Sequence, residues 1–324
     1  MASESAADLE RLIAAEHRHP VSPAAAALTS AILDRHPGAV AGILFYGSCL
    51  RRNVGEGVHD FYVLVDSYDT AYESTRLRIL NKLLPPNVFY LEAQENGETV
   101  RAKYAVISLD DFSHATGRGC LSPYIWARFA QPSLLVHVRD ESTRTRIVRD
   151  LAQAATTLVE RLFVFLPAHG DQQRFTLSAL WQEAFRRTYT SELRGEQPTT
   201  IRQIYEDNAE RYHAVARSAL RRLRDNAVIL RVTERGDAVE VRVHRATRLQ
   251  GQLRWHLTRP LSKTITFVRL LKSATTFGDW IPYILWKVER HSGERVEVSE
   301  RQRRHPFLFG WPVLFRLVRR GHLR

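Results

Sequence analysis

The spacing of apolar positions divides the first 140 residues into short alternating elements. Ala6 to Glu16 and Pro23 to Arg35 carry helical patterns, and Pro37-Gly38 ends the second. Val40 to Tyr46 is an apolar run of strand length. Asp60 to Asp66 is another, rich in Phe, Tyr and Val. Residues 69–84 return to a helical pattern that stops at Pro85-Pro86. Val88 to Ala93 and Val100 to Ser108 flank the polar turn Glu95-Asn96-Gly97-Glu98, which predicts a pair of strands. Leu134 to Val138, after Pro132, reads as a short late strand.

Beyond Ser142 the period becomes helical. Stretches 142–166, 176–194 and 199–224 are separated by Pro167, Gly170, Gly195 and Pro198. Residues 227–243 alternate around Arg235-Gly236-Asp237, a hairpin signal. Residues 255–291 read as mostly helical, with Pro260 and Pro282 expected to interrupt them. The pattern predicts an α+β chain with a boundary near residue 140.

Charge narrows the partners. The chain has 324 residues, a net charge of +12 and a pI near 10.1. The excess is arginine; only Lys82, Lys103, Lys263, Lys272 and Lys287 are lysines. That bias, with one methionine, points to a GC-rich bacterial genome. Such an excess predicts an anionic partner: nucleic acid, acidic lipid or a nucleotide. Cys49 and Cys120 are too few for a disulfide framework or a cysteine zinc site. No apolar run reaches the ~18 residues of a membrane span. Met1 to Pro20 holds Glu4, Asp8, Glu10 and Glu16 and lacks the layout of a signal peptide, so a cytoplasmic location is expected.

One constellation carries chemistry. The strand Ile43-Leu44-Phe45-Tyr46 ends in Gly47-Ser48, and Asp60 opens the next strand about a dozen residues later. Glycine lets a backbone approach a triphosphate closely. A serine hydroxyl and backbone N–H groups bind phosphate oxygens. A carboxylate holds Mg²⁺, which prefers oxygen ligands and binds together with substrate phosphates. Strand, Gly-Ser, strand-borne carboxylate is the order seen in polymerase-β-like nucleotidyltransferases. On a strand, Asp60, Tyr62, Leu64 and Asp66 share one face, and Phe61, Val63 and Val65 the other. Asp66 lies ~20 Å along from Asp60, too far to share an ion. Tyr62 stands where that superfamily usually has a second carboxylate. Glu92, an acid in the apolar strand Phe89-Tyr90-Leu91-Glu92, is the expected further metal ligand.

Further motifs follow in order. Lys103-Tyr104-Ala105-Val106-Ile107-Ser108 precedes Tyr124-Ile125-Trp126-Ala127-Arg128-Phe129-Ala130-Gln131-Pro132. With Tyr46-Gly47-Ser48 and Asp60-Phe61, the chain over about residues 43–136 resembles the mitochondrial-type phosphatidate cytidylyltransferases. The resemblance implies conversion of CTP and phosphatidate to CDP-diacylglycerol and pyrophosphate with Mg²⁺. It implies Asp60, Lys103 and Arg128 as catalytic residues and nucleotide contacts at Tyr46, Gly47, Ser48, Lys103 and Ser108. It implies a nucleotidyltransferase domain over 1–140, a helical, winged-helix-like domain over 141–298 and a membrane-associating tail over 299–324. The chain departs from the family at Ala105 and Ala127, where glycines are usual, and at Gln131, where lysine is usual.

The end of the chain fits that picture. Arg301 to Arg324 holds seven arginines and no acid, interleaved with Phe307, Phe309, Trp311, Leu314, Phe315 and Leu317. Such a segment lies in a membrane interface rather than across it. Asp279 to Lys287 is similarly amphipathic and aromatic. A peripheral enzyme on an anionic inner membrane face is the leading expectation, with no nucleic-acid partner. The alternatives are a nucleotidyltransferase with another nucleotide or acceptor, and a non-catalytic protein that binds anionic membrane or RNA.

Overall fold

A computed structural model describes residues 4–52, 57–191 and 198–276. Both the tail over 299–324 and the aromatic stretch over 279–287 fall outside the described residues. The chain opens with helices α1 (Glu4–Glu16) and α2 (Pro23–Arg35). Ser22 caps α2 by accepting the Ala25 N–H, and Pro23 fills the first helical position, where no donor is needed. There follow β1 (Val40–Tyr46), α3 (Ser48–Arg52), β2 (Val58–Val65), α4 (Tyr68–Ala71), α5 (Thr75–Leu83), β3 (Asn87–Glu95) and β4 (Glu98–Ser108). Next come α6 (Leu109–Thr116), α7 (Trp126–Phe129) and β5 (Ser133–Val138). These strands form one sheet in the order β3-β4-β2-β1-β5, with β2 and β4 parallel and the other neighbours antiparallel.

The second part comprises α8 (Glu141–Leu162), a single 3₁₀ turn (Phe163–Phe165), β6 (Ala168–His169), β7 (Gln172–Thr176) and α9 (Leu177–Ser191). It continues with α10 (Pro198–Glu206), α11 (Ala209–Asp225), β8 (Arg231–Arg235), β9 (Ala238–Arg242) and α12 (Arg245–Thr276). The four short strands pair antiparallel in the order β6-β7-β9-β8. The chain is thus a mixed α/β protein, as the apolar spacing predicts.

The alternation along β2 decides the layers. Phe61, Val63 and Val65 meet Ile43, Phe45, Tyr104 and Val106 on the face covered by Leu28 and Ile32 of α2. Tyr62 and Leu64 meet Leu44, Ala105 and Ile107 on the other face, under Leu9 and Ile13 of α1 and Ile147 and Leu151 of α8. That second interior does not stop at residue 140. It runs through Leu158 and Leu162 of α8, Leu180 and Trp181 of α9, and Tyr212 and Leu220 of α11, and on to Val241 and Trp255. A Cβ on Gly42 would meet Ile147 Cδ1 at 2.7 Å, so glycine lets α8 lie directly on β1.

Two elements differ from the spacing. The helix expected over 69–84 is broken at Tyr72–Ser74, giving α4 and α5. Pro260 does not end its helix; α12 is continuous from Arg245 to Thr276. The ring sits on an exposed side, where the proline removes one backbone bond and the turns on either side persist. The long helix is also turned inside out. Its inward side buries Ser262, Thr266, Lys272 and Thr276, while Leu249, Leu253, Leu257, Leu261, Val268 and Leu271 are exposed. No helix among the described residues is long and apolar enough to cross a membrane.

If the shared interior is one cooperative unit, Leu158→Ala lowers stability by about 2–5 kcal/mol. Unfolding then stays a single transition by far-ultraviolet and tryptophan signals alike; two separated transitions would refute this. A second expectation concerns pH. His17 Nδ1 accepts the Leu135 N–H at 3.1 Å. Burial, aided by Arg144 and Arg211, lowers its pKa from 6.5 to about 4. The unfolded chain therefore binds the proton first, and stability contributed by neutral His17 is lost as pH falls from 6.5 towards 4. Denaturant midpoints measured across that range should slope less in His17→Gln than in the wild type.

Candidate active site

One rung of the main sheet gathers the polar groups. Across it, Ser133, Tyr46, Asp60, Lys103 and Tyr90 are successive partners on β5, β1, β2, β4 and β3. Asp60 therefore has Tyr46 on one side and Lys103 on the other. The Lys103 ammonium sits 3.1 Å from Asp60 Oδ1, and both side chains reach solvent, being 41% and 25% exposed.

Gly47 sets the other wall. Its φ of +92° belongs to the left-handed region, and a Cβ there would stand 2.9 Å from Asp60 Oδ2. The sequence Gly-Ser after β1 thus has a steric reason: only glycine leaves the Asp60 carboxylate its place. Ser48 begins α3 directly afterwards.

Arg128 supplies a cation from behind. It is buried, and its Nη1 donates to the Tyr62 hydroxyl at 3.0 Å. Its guanidinium lies over three rings: Tyr124 at 4.6 Å, Tyr46 at 5.4 Å and Tyr62 at 5.8 Å. Such contacts offset part of the cost of desolvating a cation. Burial pushes the Tyr46 and Tyr62 hydroxyls well above the usual phenol range, so both stay protonated and neutral. Tyr62 is thus the acceptor for a buried arginine.

The structure brings together Tyr46, Gly47, Ser48, Asp60, Lys103 and Arg128. It does not bring Glu92 or Ser108 to them. Glu92 is on β3, two strands away, beyond the intervening β4 and opposite Arg101 rather than Lys103. Two strands are about 10 Å. Its carboxylate is engaged there, accepting from Arg101 Nε at 3.1 Å and the Tyr90 hydroxyl at 2.7 Å. Ser108 lies at the far end of β4, opposite Val65. It caps α6, where its Oγ accepts the Asp111 N–H at 3.1 Å and donates to Asp111 Oδ2 at 2.9 Å. Asp66, also at that end, is paired with Arg139.

Two residues that sequence reasoning did not bring here lie beside the site. Tyr124 underlies Arg128, a contact that the spacing of four residues could have suggested. Arg269, from α12, lies over the same Tyr124 ring at 4.5 Å. Nothing in the sequence links it to a motif 140 residues earlier.

The donor set bears on the metal that the resemblance implies. No group of three or more His, Cys, Asp or Glu side chains poised to hold a metal occurs among the described residues. Asp60 is the single carboxylate on the rung, in the space that Gly47 leaves open. A Mg²⁺ that arrives with a triphosphate needs only one or two protein carboxylates. The site fits that kind of ion with Asp60 alone and does not fit a shared Asp60–Glu92 pair.

Gly47→Ala tests the wall. The left-handed φ and the encroachment on Asp60 should together cost about 1–2 kcal/mol of stability. Binding of a nucleoside triphosphate, measured by titration calorimetry, should weaken in the variant while Gly97→Ala leaves it unchanged. Equal binding by Gly47→Ala and wild type would show that the glycine has no part in the site.

Comparison with known proteins adds little to this geometry. No family model matches the chain, and no curated protein matches it. Among solved structures, the chain is similar to a nucleotidyltransferase-like protein from Exiguobacterium sibiricum, over 90% of each chain, at 10% identity and a TM-score of 0.25. A score that low carries no argument, and the reading below rests on the residues themselves.

Proposed function

We propose that this chain is a nucleotidyltransferase that seats a nucleoside triphosphate on the Tyr46–Asp60–Lys103 rung and passes its nucleotidyl group to a phosphate-bearing acceptor. One observation carries the reading. The Asp60 carboxylate occupies the space that Gly47 leaves by having no side chain, with the Lys103 ammonium 3.1 Å away. A backbone that can be approached closely, a carboxylate and a cation then converge on one point. The specific substrates are CTP and phosphatidate, giving CDP-diacylglycerol and pyrophosphate; the order of the sequence motifs supports that choice. The enzyme works at the cytoplasmic side of an anionic membrane, as its basic, aromatic end suggests.

The chemistry asks mainly for charge control. A phosphate oxygen of the acceptor attacks the α-phosphorus, the bond from that phosphorus to the bridging oxygen breaks, and pyrophosphate leaves. The acceptor is already an anion, so no general base is needed. The difficulty is holding anions against each other, which fixed cations and positioning relieve. Mg²⁺, held by Asp60, would neutralise charge on the triphosphate. Lys103 is a flexible point charge that can exchange Asp60 for a phosphate oxygen. Arg128 is fixed by Tyr62 and Tyr124, so it offers positive potential without having to be ordered on binding. The Tyr46 ring closes the side next to Gly47.

A second reading is favoured by one feature. Tyr62 replaces a carboxylate and Glu92 is elsewhere, which suits a protein that binds a nucleotide without turning it over.

Purified protein with Mg²⁺, labelled CTP and phosphatidate in mixed micelles should yield labelled CDP-lipid. Asp60→Asn and Lys103→Met should each lower that rate by at least ~100-fold. Absence of product with CTP and with every other nucleoside triphosphate would refute nucleotidyl transfer, and retained triphosphate binding would then favour the second reading.

A further inference from the structure

A helix that buries polar side chains and exposes leucines needs a reason. The inward side of α12 carries Arg269 and Lys272. Arg269 donates through Nε to Pro85 O at 3.1 Å, while its Nη1 is buried with no hydrogen-bond partner. Among the described residues no carboxylate pairs with Arg269. Lys272 donates to the carbonyls of Leu84 and Pro86. Arg269 shares the Tyr124 ring with Arg128, at 4.5 Å and 4.6 Å from its centroid. Two guanidinium groups thus share one ring, and like charges so placed repel each other. Arg161 and Arg254 add further positive potential beside them, at Cys120. Tyr124 and Arg269 are half-buried, so the rim of this cationic corner reaches solvent while the unpaired Nη1 faces inward.

From this geometry we propose that Arg269, which shares the Tyr124 ring with Arg128, forms a second anion site that takes a phosphate monoester. It rests on the reading of the neighbouring rung as a triphosphate site, and it places the acceptor phosphate beside it. An arginine fork with one N–H bonded to the protein and another unsatisfied is suited to a phosphate oxygen. The dianion would relieve the repulsion between the two guanidinium groups. Arg128 would then stand between the two substrates, with the tyrosines 46 and 62 on the nucleotide side and Tyr124 on the acceptor side.

The outer side of α12 bears on where that phosphate comes from. Leu249, Leu253, Leu257, Leu261, Val268 and Leu271 follow one side of the helix, with Leu257 69% exposed. A free phosphate makes no use of such a surface, whereas a lipid-borne phosphate does. The outer side of the helix would then rest its leucines on the lipid, and the headgroup would pass round the helix to reach Arg269 on the inward side.

The test uses the full chain. Phenylglyoxal labelling of Arg269 in the wild type, followed by peptide mass mapping, should be slowed several-fold by a phosphate monoester. Inorganic phosphate, glycerol 3-phosphate and phosphatidate in phosphatidylcholine vesicles are the three arms, with plain phosphatidylcholine vesicles as control. Protection by any of the phosphates supports the site, and the arm effective at the lowest concentration identifies the source. Arg269→Gln should weaken binding to phosphatidate vesicles about tenfold while leaving CTP affinity within twofold. The proposal is overturned if no phosphate slows labelling of Arg269. It is overturned equally if Arg269→Gln keeps wild-type phosphatidate binding, or loses CTP and phosphatidate affinity together. A wild type that binds phosphatidate through Arg269 but no nucleotide would remove nucleotidyl transfer and leave this site standing.

Discussion

A guanidinium buried at the end of a sheet constrains everything around it. Removing Arg128 from water costs several kcal/mol unless hydrogen bonds and favourable contacts compensate. Here the compensation comes from the Tyr62 hydroxyl and from three aromatic rings. That contact fastens the segment around α7 to the centre of β2. The same segment is held from the helical side, where Arg211 of α11 donates to Ala130 O at 2.9 Å and pairs with Glu16 of α1 at 2.8 Å. The site floor and the helical layer are thus fixed through one short stretch of chain. A shift of α7 would disturb the rung, the interior under α8 and the N-terminal helix together.

The local rules account for much of the fold. The apolar run from Val40 to Tyr46 is β1 at both ends. The alternation through Phe61, Tyr62, Val63 and Leu64 sorts those side chains to the two interiors as a period of two requires. Asn96 and Gly97 both have positive φ, which is the turn chemistry that their position between β3 and β4 demands. Ser108 sits in a pattern with two local meanings. Ser-Leu-Asp-Asp is a serine followed three residues later by an acid, which marks a helix start as readily as a phosphate contact.

Other features had no local signal. Strand order decides which carboxylate can reach Asp60, and order is set by how the chain crosses over between β2 and β4. Because β4 lies between β2 and β3, Glu92 meets Arg101 instead. Pro260 shows that a residue's general cost does not say whether surrounding turns absorb it. The inside-out character of α12 is invisible in its composition, since a leucine stripe reads the same whether it faces a core or a surface. Arg269 is one arginine among many until the fold lays it over Tyr124.

Net charge says that cations are in excess, but not which of them matter. Many are neutralised where they stand: Arg221 is 2.9 Å from Glu234, Arg187 is 2.5 Å from Glu183 and Arg101 is 3.1 Å from Glu92. Such pairs solvate a face and contribute little else. The site is built on another balance. Asp60 is met by Lys103 at 3.1 Å, and Arg128 lies over the neighbouring Tyr46 ring. With a tyrosine at position 62, the hydroxyl accepts one N–H of Arg128, and burial keeps it protonated and neutral. The tyrosine thus anchors Arg128 without bringing a negative charge of its own to the site.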